Sequence, residues 1–100
     1  MFKTTDKVDI QHLTATGIAQ SVTLIASYKN TQIRVVNGGG IRVSLNGKPD
    51  TLTNTTGIYI SCSKPLVIYN HSMHEISYIK DAGASLDVDF EILGTYRENR

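Results

Sequence analysis

Apolar and polar residues alternate with a period of two through most of this chain. In SLDVDFEIL, residues 85–93, Leu86, Val88, Phe90 and Ile92 fall on one side and Ser85, Asp87, Asp89 and Glu91 on the other. This is the pattern of a strand with one face buried. Similar runs start at Val8 (VDIQHLTA), Ser21 (SVTLIAS), Thr31 (TQIRVVN), Ile41 (IRVSLNG), Gly57 (GIYISCS), Pro65 (PLVIYN) and Glu75 (EISYIKD). They are rich in Ile, Val and Thr, which suit a pleated surface. No window carries a helical stripe. The pattern therefore predicts an all-β chain of about eight strands, an antiparallel β-sandwich of jelly-roll-like type.

Turn clusters separate the runs: Gly17, Tyr28-Lys29-Asn30, Asn46 to Asp50 and Asp81-Ala82-Gly83. The segment KPDTLTNTTG reads as an exposed loop with a short edge strand at Thr51 to Thr53. Asn37-Gly38-Gly39-Gly40 stands between two strand patterns. A phosphate cradle would need a helix N-terminus after the glycines, and none follows. The run is expected to be a hairpin turn with positive φ. Polar tails at 1–6 and 96–100 are expected to fray, or to order as arms against a neighbour.

With 100 residues and 40% apolar content, the chain suits a single domain, 1–100, that buries roughly two-thirds of its unfolded surface. The formal net charge of +1 provides no basic excess for nucleic acid. No run reaches the length of a membrane span or of a signal peptide, so neither a membrane nor a cleaved leader is expected. The lone Cys62 has no internal disulfide partner and no neighbouring base, and reads as a packing or surface residue.

Candidate chemistry is sparse. His71 and His74 stand three apart beside Glu75, without the helical four-residue spacing of a zinc motif, and a solvated turn is the simpler reading. Asp87, Asp89 and Glu91 form an acidic row with members roughly 7 Å apart. That row is either a solvated outer face or an interface facing a basic surface, with Arg97 and Arg100 of the charged C-terminus as further contacts. Tyr59, Tyr69 and Tyr78, on different strands, could form an aromatic platform for a sugar, joined by the turn at His71 and His74; core packing is the alternative. No nucleophile stands with a base, so no enzyme activity and no cofactor are expected.

The order of an early apolar strand, TQIRVVNGGGIRVSLNG, a polar loop, GIYISCSKPLVIYN and HEISYIKDAGASLDVDFEIL resembles small accessory virion proteins of tailed bacteriophages and prophages, over about Gly17 to Gly94. The resemblance implies a capsid decoration or stabilising protein that acts through protein–protein contacts. Its partners would be the major capsid or other virion proteins, and it would form a homo-oligomer, trimer or dimer. It would be located in the virion, and in the bacterial cytoplasm during assembly. The alternative is a host-surface glycan-binding module of a receptor-binding or tail accessory protein.

Overall fold

The computed structural model describes residues 5–23, 30–69 and 75–98, and side chains within 9–23, 30–68 and 75–95. The described residues form eight strands: β1 (Thr5–Ala15), β2 (Gln20–Thr23), β3 (Asn30–Asn37), β4 (Ile41–Ser44), β5 (Ile58–Ile60), β6 (Leu66–Tyr69), β7 (Glu75–Lys80) and β8 (Val88–Glu98). They form two antiparallel four-stranded sheets, a first in the order β1-β8-β3-β6 and a second in the order β2-β7-β4-β5. Each expected strand contributes one element. Among the described residues, the only helical element is a single 3-10 turn at Pro49–Thr51.

The expected alternation positions the core. Thr31, Ile33 and Val35 of β3 and Val88, Phe90 and Ile92 of β8 are buried on the inner side of the first sheet. Ile41 and Val43 of β4, Ile60 of β5, and Ile76 and Tyr78 of β7 meet them from the second sheet in one cluster. Phe90 and Tyr78 touch across the sandwich, with ring centroids 4.9 Å apart and planes at 64°. Such edge-to-face packing adds to the roughly 1.5–3 kcal/mol from burying each large apolar side chain. Gln11 shares the inner register of β1 with Leu13, opposite Ile92. Its Oε1 is buried with no partner among the described residues.

The structure corrects four expectations. First, the glycine run is not a hairpin, because β3 and β4 belong to different sheets. It carries the chain from one sheet to the other, with Gly38 at φ +91°. A Cβ on Gly39 would lie 2.7 Å from the Cβ of Ala84, and one on Gly40 would enter the Tyr59 ring. The crossing is too close to other parts of the chain for side chains. Second, Thr51 is in the 3-10 turn rather than an edge strand, because Pro49 presets a turn and lacks the N–H a ladder needs. Third, β8 begins only at Val88, and Leu86, placed with the core by alternation, is 75% exposed. The turn Asp81 to Ala84, closed by Ala84 N–H donating to the Asp81 carbonyl, precedes a stretch that has no ladder to hold it in the sheet. Fourth, the tails are partly strand: Thr5, Asp6 and Lys7 pair with Glu98, Arg97 and Tyr96. The two ends are adjacent, so each satisfies the other's backbone groups.

Candidate functional site

Register builds the outer face of the first sheet row by row. Ile10 of β1 stands opposite Leu93 of β8, Leu93 opposite Gln32 of β3, and Gln32 opposite Val67 of β6. The next row is His12, Glu91 and Arg34. Beyond it come Thr14 and Asp89, where a bulge between Val35 and Asn37 disturbs β3. Ile10, Val36 and Val67 on this face are 50%, 52% and 41% exposed.

At the centre of the face is an ion cluster. Arg34 Nε donates to Glu91 Oε1 at 2.6 Å, and His12 Nδ1 stands 3.2 Å from Glu91 Oε2. Glu91 is 8% exposed although it points away from the core, because β8 is an inner strand and the longer side chains of β1 and β3 close over it. Beside the cluster, Thr14 Oγ1 donates to Asp89 Oδ1 at 2.9 Å. His12, Leu13, Thr14, Val36, Asp89 and Phe90 line an open depression of about 290 Å³. The bulge in β3 lies beside it, and this irregularity is not visible in the sequence alternation.

The second sheet presents a different outer surface. Tyr59 of β5 lies over the backbone of Gly40. The Arg42 guanidinium stands 5.1 Å from its ring centroid, within cation–π range. Arg42 Nε also donates to Asp81 Oδ1 at 2.7 Å, while Gly83 N–H donates to Asp81 Oδ2 at 2.9 Å. The Gly83 amide, and then Arg42, hold the Asp81 carboxyl below its ordinary range, since both stabilise the charged form. The loop after β4 folds back over this sheet: Ser77 Oγ donates to the Asn46 carbonyl at 2.7 Å and Ala82 N–H donates to the Asn54 carbonyl at 3.0 Å.

The candidate residues separate. Of the acidic row, Asp89 and Glu91 share the outer face of the first sheet. Asp87 precedes β8, and its Oδ1 stands 3.7 Å from Lys80 Nζ. A uniformly solvated row is corrected at Glu91, which is buried beneath Arg34 and His12. Arg97 stands on β8 opposite Asp6, and Arg100 lies outside the described residues. The tyrosine platform does not assemble. Tyr59 is exposed on the second sheet, Tyr69 belongs to β6 of the first, and Tyr78 is 5% exposed in the core. The Tyr78 hydroxyl donates to Gln20 Oε1 at 3.0 Å, and burial raises its ionisation above the ordinary tyrosine value. His71 and His74 lie outside the described residues. Cys62 is exposed, in the turn bridged by Ser61 and Lys64.

The ion cluster is the feature sequence reading missed. Its signal was present, since His12, Arg34 and Glu91 each occupy the polar phase of a strand, but the register that aligns them is a long-range property. Among the described residues, no group of three or more His, Cys, Asp or Glu side chains is placed to hold a metal ion. No helix there is long and apolar enough to cross a membrane. No protein family, no curated protein and no solved structure matches the chain.

Proposed function

We propose that this chain is a structural protein of a phage particle, a capsid decoration or stabilising protein that works through protein–protein contacts. The observation that carries the reading is the outer face of the first sheet. Ile10, Val36 and Val67 are exposed there around a buried Glu91 paired with a half-exposed Arg34, a combination of apolar area and fixed charge suited to docking against protein. The sequence resemblance to accessory virion proteins supplies the particle. The strand order supports a jelly roll: β1 pairs with β8, β2 with β7, β3 with β6 and β4 with β5. These are the nested pairings of one long hairpin rolled into two sheets, an architecture used in viral capsids. On this reading the protein resides in the virion, and in the bacterial cytoplasm during assembly.

The test is to purify particles of the phage or prophage that encodes the chain, and to quantify it against the major capsid protein by mass spectrometry. A constant ratio, and rebinding of purified chain to particles stripped of it, is the expected result. Absence from the particles removes the reading.

A glycan-binding module is the second reading, favoured by Tyr59. Tyr59 is 42% exposed and its ring is flanked by Arg42, so a sugar could stack on it and hydrogen-bond to the neighbouring polar groups. Glycan-array binding that is lost on Tyr59→Ala, with unfolding unchanged, would establish it.

A further inference from the structure

We infer that the outer face of the first sheet binds a second copy of this chain, related by a two-fold axis that runs along the strands between β8 and β3. This deepens the structural role proposed above and rests on it, because it names the partner of the same face.

The order of residues across the sheet is self-complementary. The row Ile10, Leu93, Gln32, Val67 places one residue on each of β1, β8, β3 and β6. Its two ends are exposed aliphatic side chains. A two-fold axis along the strands exchanges β1 with β6 and β8 with β3. Ile10 of one copy then stands on Val67 of the other, and Leu93 over the aliphatic part of Gln32, each contact occurring twice. An isologous interface requires this self-complementarity.

The neighbouring row obeys the same operation. Glu91 of one copy stands opposite Arg34 of the other, so the second Arg34 meets the exposed rim of a carboxylate already held in its own sheet. The Arg34 side chain is 49% exposed while it holds Glu91 within its own sheet. It retains donors to offer the second carboxylate in a shared four-residue network. An axis perpendicular to the strands along this row would instead stack Arg34 on Arg34, so charge selects between the two arrangements.

The size of the face agrees. Three strands spaced about 4.8 Å apart over the length of β3, with β6 alongside for only its four residues, give roughly 450 Å² of face per copy and about 900 Å² in the pair. This is the lower end of specific interfaces, and it predicts a dimer whose population depends on concentration. Aligned packing of two twisted sheets, about 10 Å apart, is an ordinary arrangement.

Sedimentation velocity over a concentration series tests the inference, together with two single substitutions, Ile10→Lys and Val67→Lys, whose folding is checked by thermal unfolding. The expected result is a monomer–dimer equilibrium that each substitution weakens at least tenfold in Kd, while Leu45→Lys, on the loop after β4, leaves it unchanged. In a Cys62→Ser background, oxidising a mixture of Ile10→Cys and Val67→Cys chains should join one of each in preference to two alike. A monomer at every concentration, a trimer, or a dimer indifferent to both lysines would overturn the inference. So would cross-linking of like chains. A monomer that binds particles until Ile10 is replaced would give this face to another virion protein. In that outcome the second copy is refuted and the structural role stands. A two-fold dimer missing from purified particles would instead refute the structural role and leave the second copy standing.

Discussion

Gly39→Ala tests the claim that the glycine run is a close crossing between sheets. The added Cβ would stand 2.7 Å from the Cβ of Ala84 and 3.0 Å from its Cα. Carbon atoms in good contact are about 3.5–4.0 Å apart, so the two segments must separate by about 1 Å. The obstacle at Ala84 is backbone and a Cβ, which no rotamer change can move. Ala84 is also tied down, because its N–H donates to the Asp81 carbonyl at 2.9 Å. Overpacking of this kind costs about 1–3 kcal/mol, and the rigid obstacle places Gly39→Ala in the upper half of that range, about 2–3 kcal/mol. At roughly 4–8 °C per kcal/mol for a small domain, Tm should fall by about 10–20 °C. Urea unfolding followed by circular dichroism gives the same free energy, with an m-value that should not change. The decisive comparison is Gly39→Ala with Ala84→Gly, which removes the opposing Cβ. The double variant should be more stable than the sum of the single effects requires, by about 1 kcal/mol or more. A loss under about 0.5 kcal/mol in the single variant, or independence of the two sites, would refute the close crossing.

Three further outcomes follow from the same structure. Asp81 has its carboxyl held below the ordinary value of 3.8 by the Gly83 amide and by Arg42, so its contribution is complete above that unfolded-state value. It is lost as pH falls through the lower folded value, and Asp81→Asn should flatten this part of the urea-midpoint profile between pH 2 and 6. Phe90→Ala removes the largest fully buried side chain among the described residues and its edge contact with Tyr78, and should cost about 3–5 kcal/mol in chemical unfolding. Gln11→Met removes a buried Oε1 that has no partner among the described residues, and should raise stability by about 1–2 kcal/mol; a lower urea midpoint would show that the amide is satisfied.

The strands themselves were legible because they follow from local chemistry. Successive side chains of an extended chain point to opposite sides, so the phase of Ile33, Val35, Val88, Phe90 and Ile92 follows from alternation before any partner is known. The need for glycine at 38–40 was equally visible, but not its reason. A strand, a glycine run and another strand describe a hairpin and a crossing between sheets alike. Only closure of the sandwich sends β3 to β8 and β6, and β4 to β5 and β7.

Everything that depends on which strand lies beside which was decided by tertiary structure. Thr5 is paired with Glu98 across nearly the whole chain, and no local pattern reports on a contact of that sequence separation. Register then determined what the polar phase contains. It turned Glu91 from a solvated acid into a pair with Arg34, and put Gln11 opposite Ile92 on the inner side. It also separated the three tyrosines, with Tyr78 against Phe90, Tyr59 over Gly40 and Tyr69 on the other sheet. Alternation assigns a side chain to one of two faces. Pairing decides whether that face meets solvent, a counter-ion or the core, because burial depends on the neighbouring strands and not on the residue's own.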